Sequence, residues 1–288
     1  MSDVGAVGSM LAESLPYIQR HAGTTVVVKY GGNAIAGAEG PGAVGDFAAD
    51  VALLRAVGLR PIVVHGGGPQ ISAWMSRAGI EPAFSGGLRV TDAATMEIVQ
   101  MVLLGLVNPM LVTAINAHGA LAVGVSGQDG GILRTVPRDP ALGRVGEIVG
   151  VGGAVLESLM SSGAVPVVAT VGVGDDGTLY NVNADEAAAA IAVAVGASKL
   201  IYLTDVAGVR RDRNDPSSII SRASRDDVLS LVASGVADGG MIPKLQGCVA
   251  AVDGGVGAAH VLDGTAPHAL LVELFTDGGI GTMITAAG

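Results

Sequence analysis

Pro61-Ile62-Val63-Val64-His65-Gly66-Gly67-Gly68-Pro69-Gln70-Ile71 reads as a strand, a glycine turn and a helix start in one short stretch. The apolar, β-branched run suits a strand buried on both faces. Three glycines strip the side chains from its end, and Pro69 is preorganised for the first turn of a helix. The same order recurs along the chain. Val26-Val27-Val28 leads into Lys29-Tyr30-Gly31-Gly32, and apolar runs at Ala120 to Val125, Val165 to Val168, Leu200 to Leu203 and Ala258 to Leu262 end at Ser126-Gly127, Thr170, Thr204-Asp205 and Asp263-Gly264. Helical patterns lie between them, over Asp46 to Val57, Pro69 to Ala78, Thr91 to Val107, Ala154 to Ser162 and Ala184 to Val195. Asn183 is the expected N-cap of the last, with Glu186 placed to close a capping box. Repeated strand, turn and helix predicts an α/β fold with a mostly parallel sheet and right-handed crossovers.

The chain has 288 residues, enough for one large α/β unit or two lobes. Gly172 to Gly177 is the expected boundary between lobes, and the polar Arg210 to Ser218 an exposed loop. Half of the residues are apolar, but only three are Phe, four Tyr and one Trp, so the core is aliphatic. A net charge of −10 with no basic cluster disfavours nucleic acid as a partner. Cys248 stands alone, which excludes a disulfide framework and fits a reducing compartment. The apolar run Ile98 to Ala117 carries Gln100, Asn108, Pro109 and Asn116, polar groups that hydrocarbon would leave unsatisfied. Asp3 and the lack of a basic leader argue against a signal peptide. A soluble cytoplasmic protein with no membrane partner is the expectation.

Ahead of the first strand, Val4, Val7, Leu11, Leu15 and Ile18 recur at helical spacing, and Pro16 predicts a kink. This arm packs either on its own domain or on another subunit; the sequence leaves both open.

Two glycine clusters after the first two strands allow a ligand to approach free N–H groups. Neither is a Walker loop or a dinucleotide fingerprint, and each alone is equally well a tight turn. Lys29 changes the balance, because an ammonium at the end of an apolar strand beside Gly31-Gly32 suits a phosphate. Lys244 lies among Met241, Ile242, Pro243 and Leu245, in a chain with only 16 Lys and Arg in total. Asp185 is a first-turn carboxylate that the helix dipole would favour even without a function. Arg89 either clamps a substrate carboxylate or pairs with Asp92.

Lys29-Tyr30-Gly31-Gly32-Asn33-Ala34, Val64 to Ile71, Gly87-Leu88-Arg89-Val90-Thr91-Asp92, Asn181-Val182-Asn183-Ala184-Asp185, Thr204-Asp205-Val206-Ala207-Gly208-Val209, Gly239-Gly240-Met241-Ile242-Pro243-Lys244 and Glu273 to Thr282 together resemble the N-acetylglutamate kinases. They follow that family's order and cover nearly the whole chain. The resemblance implies a three-layer αβα sandwich of the amino-acid and carbamate kinase type. Residues 1–22 would form a regulatory arm, 23–174 a lobe for the acyl-amino acid and for dimerisation, and 175–288 an ATP lobe. It implies phosphorylation of N-acetyl-L-glutamate by ATP with Mg2+, without a tightly bound cofactor.

By the same resemblance Lys29 and Lys244 would contact the moving phosphoryl group, and Asp185 would orient both. Gly31, Gly32, Gly67 and Gly68 would offer backbone N–H groups, and Arg89 and Asn181 would hold the acceptor. Thr204, Asp205, Val206 and Gly208 would line the nucleotide pocket. The arm resembles that of arginine-inhibited members assembled as trimers of dimers, which puts Tyr17, Lys199, His260, Glu273 and Gly279 at an arginine site. For His260 a packed histidine at a strand end is the competing reading. A PII-type regulator is a further partner of the family with no residue here behind it. Gln128 departs from the family, which often has lysine there. A kinase for carrier-linked aminoadipate or glutamate is the runner-up, and a basic rim for the carrier is missing at this net charge. A catalytically inactive sensor is another alternative, with no need to keep Lys29, Asp185 and Lys244 together.

Overall fold

Val26, Val27 and Val28 lose all solvent contact because their strand lies near the middle of the sheet, with helices on both faces. The computed structural model describes residues 4–32, 35, 41–212, 214–215, 217–237 and 239–287. Asn33, Ala34 and Asp3 of the sequence reading lie outside the described residues, as do the side chains of Val4, Val7 and Leu11.

The chain begins with α1 (Val4–His21), β1 (Thr25–Tyr30), α2 (Pro41–Ala56), β2 (Arg60–His65) and α3 (Gly68–Arg77). A hairpin of β3 (Phe84–Ser85) and β4 (Leu88–Arg89) follows, then α4 (Ala93–Val102) and α5 (Asn108–Asn116). Next come β5 (Ala122–Ser126), β6 (Leu133–Pro137), β7 (Gly146–Val151), α6 (Gly153–Ser161), β8 (Val165–Ala169), β9 (Val171–Val173) and β10 (Leu179–Asn181). The rest comprises α7 (Ala184–Ala194), β11 (Lys199–Thr204), β12 (Arg222–Ser224), α8 (Arg225–Ala233), α9 (Met241–Asp253), β13 (Ala258–Asp263), α10 (Ala269–Phe275) and β14 (Thr282–Thr285).

The main sheet has eight strands among the described residues, in the order β12-β14-β13-β11-β1-β2-β8-β5. Every pairing is parallel except β13 with β14. Alternation along β1 sends Val26, Val28 and Tyr30 into one core, with Phe47, Met75, Val99 and Leu270. Val27 enters the other, with Leu156, Ala188, Leu245 and Cys248. The expected three layers and mostly parallel sheet are what the chain forms.

Several elements differ from the sequence reading. The helix predicted to end at Val107 continues to Asn116 through a π-helical turn, Leu103–Val107. Pro109 has no N–H to donate back along an α-helix, and the wider turn ahead of it accommodates that missing bond. The continuous helix Ala93–Asn116 passes the length and composition test for a membrane span. It nevertheless buries Met96, Val99, Val102, Leu111 and Ile115 in the core, and the polar Asn108 is hydrogen-bonded there. Gly174 to Gly177 belong to the turn between β9 and β10, which pair antiparallel. A second sheet, β10-β9-β6-β7, was not legible, because its strands are short and only partly apolar. Helix α1 runs through Pro16, with Leu15 exposed and Ile18 packed against the core.

Candidate active site

Lys29 and Lys244, 215 positions apart in the chain, meet on one carboxylate. Lys29 Nζ lies 2.8 Å from Asp185 Oδ1, and Lys244 Nζ donates to Asp185 Oδ2 at 3.2 Å. β1 brings Lys29 to the carboxyl end of the sheet, and Asn183 caps α7 by accepting from Asp185 N at 2.8 Å and Glu186 N at 3.2 Å. Asp185 therefore sits in the first turn, aimed at the cleft. Glu186 does not close the predicted capping box. It pairs with Arg138 instead, because a two-pronged guanidinium partner outcompetes a backbone N–H.

Burial pushes the Lys29 ammonium below its ordinary pKa, and Asp185 opposes that shift. For Asp185 burial pushes upward, but the two ammonium groups outweigh it and hold the carboxyl below its usual range. Two ammonium groups thus share one carboxylate in a cleft of about 510 Å³, which Arg89 and Asp205 also line.

The two glycine turns abut each other in the wall of this cleft. A Cβ on Gly32 would come within 2.8 Å of Pro69 Cδ and 3.0 Å of Gly68 N. On Gly67 it would meet Leu103 Cδ2 at 2.8 Å. Packing therefore excludes a side chain at Gly32 and Gly67, whereas Gly68 borders open space. Gly67→Ala is expected to destabilise the protein by about 1–3 kcal/mol through overpacking against Leu103, read as a lowered urea midpoint.

Arg89 does not pair with Asp92, which instead caps α4 by accepting from Thr95 N at 2.7 Å. Its guanidinium donates to Gly68 O at 2.9 Å and Ser72 Oγ at 2.8 Å, and lies 4.7 Å above the Phe84 ring. A guanidinium has five N–H donors, more than these contacts use. Asn181 Nδ2 donates to Thr91 Oγ1 at 3.2 Å. Arg89, Asn181, Gly67 and Gly68 wall a smaller cavity of about 150 Å³, which shares Arg89, Gly68 and Asn183 with the cleft.

On the other side, Asp205, Val206, Gly208, Met241 and Lys244 wall a cavity of about 490 Å³. Thr204 Oγ1 accepts from Val206 N at 3.0 Å and shapes its entrance. Gly31 and Thr204 line the cleft between the two cavities. Gln128 is not among the residues walling these cavities; its carbonyl accepts from Gly131 N in the turn after β5.

A second polar cluster forms at the opposite end of β11. Lys199 Nζ lies 3.1 Å from His260 Nε2, and His260 Nδ1 lies 2.7 Å from Glu273 Oε1. Glu273 Oε2 accepts from Ile280 N at 2.9 Å, and a Cβ on Gly279 would be 2.8 Å from that oxygen. Burial lowers the pKa of Lys199 and of His260. Tyr17 of α1 donates to Asp277 beside this cluster. His260 is thus both packed and paired.

Sequence reasoning missed His65 and Asn108. His65 is fully buried, with Nδ1 3.0 Å from Gly66 O and Nε2 3.0 Å from Asn108 Nδ2. Asn108 also donates to Val167 O at 2.8 Å, so the pair ties β2, α5 and β8 together behind the glycine turn. A histidine abutting three glycines was the available signal. Burial drives its pKa down to about 4. The unfolded state therefore binds this proton first, so the contribution is whole above pH 6.5 and is lost as pH falls toward 4. That loss is at most about 3 kcal/mol. Urea midpoints should fall across that window, and His65→Gln should flatten the fall.

The amino acid kinase family model matches residues 24–263. The chain is 52% identical over 285 residues to the acetylglutamate kinase of Symbiobacterium thermophilum, covering 96% of each. It is 51% identical to that of Acidothermus cellulolyticus, covering 99% of this chain and 98% of the relative. Among solved structures, N-acetylglutamate synthase of Neisseria gonorrhoeae in complex with coenzyme A and N-acetyl-glutamate superposes with a TM-score of 0.86 at 29% identity. That match covers 97% of this chain and 63% of the synthase, so the chain spans only part of that enzyme's length. Giardia lamblia carbamate kinase bound to AMP-PNP shares the fold, with a TM-score of 0.69 at 19% identity over 92% of this chain and 99% of that one. A matched charge triangle, abutting glycine turns and half-identity over nearly the full length have one common meaning: the chain belongs to the acetylglutamate kinases of the amino acid kinase family.

Proposed function

We propose that the cleft transfers the γ-phosphoryl group of ATP to the side-chain carboxylate of N-acetyl-L-glutamate, an early step of arginine biosynthesis. The observation carrying this reading is the pair of ammonium groups on Asp185, at the junction of a small and a large cavity. Phosphoryl transfer needs positioning and charge neutralisation more than covalent chemistry. Lys29 and Lys244 stabilise the equatorial oxygens in flight, and Asp185 keeps both ammonium groups on station. The acceptor carboxylate is ionised at pH 7, so no general base is required.

Arg89 and Asn181 hold the α-carboxylate and acetamido end of the acceptor, with Gly67 and Gly68 offering N–H groups. Thr204, Asp205, Val206 and Gly208 frame the nucleotide, so that ATP lies on the 175–288 side and the acceptor on the 23–174 side, with Asn181 of the 175–288 segment reaching across to it. Among the described residues no group of three or more His, Cys, Asp or Glu converges as a metal site. Mg2+ enters on the phosphates of ATP, as small hard cations commonly do. The deciding assay is ADP release with ATP against N-acetylglutamate, free glutamate and carrier-linked aminoadipate. Turnover confined to either of the latter two would overturn the reading.

Regulation follows from the second cluster. Arginine binds at Lys199, His260, Glu273 and Gly279 with Tyr17 closing over it; Glu273 faces the ligand's cationic groups. The fold neighbour from Neisseria gonorrhoeae has also been solved with L-arginine, at 27% identity. The exposed apolar side chains Met101, Leu106 and Met110 along one helix suit a dimer contact, and α1 links dimers into a hexamer. Deleting residues 1–20 should abolish arginine inhibition and leave dimers by light scattering. A truncated hexamer still inhibited by arginine would refute it. Cytoplasmic location belongs to the same proposal.

A further inference from the structure

Tyr202 is the cross-strand partner of Lys29 in the parallel pairing of β11 with β1, so both side chains leave the same face of the sheet. The tyrosine is completely buried, yet its hydroxyl is not idle. It donates to the backbone carbonyl of Asp185 at 2.9 Å. The residue whose carboxylate holds both lysines is thus held through its carbonyl by the neighbour of one of them.

The third partner is Gly247, one turn beyond Lys244 on α9. A Cβ there would lie 2.2 Å from Tyr202 Oη, 3.2 Å from Tyr202 Cζ and 3.5 Å from Asp185 O. The phenol therefore occupies the space a side chain at 247 would need, and α9 rests directly on it. Asp185 sits in α7 and Lys244 in α9, and the phenolic oxygen is wedged between those helices. The Asp185 carboxylate and the Lys244 ammonium that these two helices carry lie 3.2 Å apart.

We infer that Tyr202 is a positioning residue for phosphoryl transfer, its hydroxyl and the bare Gly247 forming a matched pair that spaces α7 and α9. It touches neither phosphate nor acceptor and acts through Asp185 and Lys244. The inference rests on the phosphoryl-transfer reading of the cleft. A displacement of reacting groups by about 1 Å can cost on the order of 10² in rate, and a close-packed interior transmits an added methyl to the helices on either side rather than absorbing it.

Three variants and the wild type test it. Gly247→Ala should lower kcat by about 10²-fold, with KM for ATP and N-acetylglutamate changed less than about threefold. Tyr202→Phe should lower kcat by up to about tenfold. The double variant should regain at least about tenfold over Gly247→Ala, because the new methyl enters the space the hydroxyl leaves. A role in core packing alone would lower Tm without this split between kcat and KM. Crystal structures of the variants supply a readout independent of turnover, with the Asp185 to Lys244 separation lengthened in Gly247→Ala and restored in the double variant. Multiplicative losses in the double variant, or an unchanged separation in Gly247→Ala, would overturn the assignment. Absence of turnover in the wild type would instead condemn the phosphoryl-transfer reading, while the separations would still judge the spacer.

Discussion

Lys244→Ala lowers kcat by about 10²–10³-fold while the protein stays folded. Removing one preorganised charge stabiliser from a phosphoryl-transfer site costs about 2.7–4 kcal/mol of transition-state binding. Stability is spared because Lys244 is partly exposed and Asp185 keeps its 2.8 Å ion pair with Lys29 after the change. Lys29→Ala carries the same loss in kcat. It also empties a buried volume, so its Tm falls further than that of Lys244→Ala. Steady-state kinetics with saturating ATP and N-acetylglutamate, beside circular-dichroism melts, check both variants. Activity within tenfold of wild type in either one would remove that lysine from the mechanism.

Asp185→Asn has the second large effect, and its signature is a pH profile. The carboxylate is the shared counter-charge, and an amide leaves two ammonium groups facing each other across a buried site. Lys29 already has a pKa lowered by burial, with Asp185 opposing the fall. Without that opposition the pKa drops further, and the neutral amine cannot stabilise a phosphoryl group. Activity requires the protonated form, so it is lost as pH rises through the pKa of Lys29. In Asp185→Asn that alkaline limb moves to lower pH, and kcat at pH 7 falls by on the order of 10². An alkaline limb unmoved from that of the wild type would contradict the electrostatic role of Asp185.

Much of the fold was legible from short-range chemistry. Val63-Val64 before three glycines and Pro69 can hardly be other than a buried strand entering a helix. The register of the glycines also marked the carboxyl end of the sheet, where strand ends and helix starts gather. Less legible were the features set by competition between partners. Glu186 had a sound local partner in the Asn183 backbone, but Arg138, far away in sequence, offered two donors. Arg89 had Asp92 nearby, yet the hairpin β3–β4 turns it toward Gly68 and Ser72. The helix expected to stop at Val107 continues because a π turn absorbs Pro109.

Local pattern alone determined the alternation of strands and helices, the aliphatic core and the pair of glycine turns, since each depends on neighbours within a few residues. That Lys29, Asp185 and Lys244 share one cleft was implied by family likeness and not by spacing. Their convergence was decided only when β1, α7 and α9 packed against one another. The role of Tyr202 was invisible beforehand for the same reason. An apolar strand with one tyrosine reads as core, and only the close approach of Gly247 and the Asp185 carbonyl turns its hydroxyl into a spacer. Contacts over such separations depend on chain topology, which residue type and periodicity do not encode.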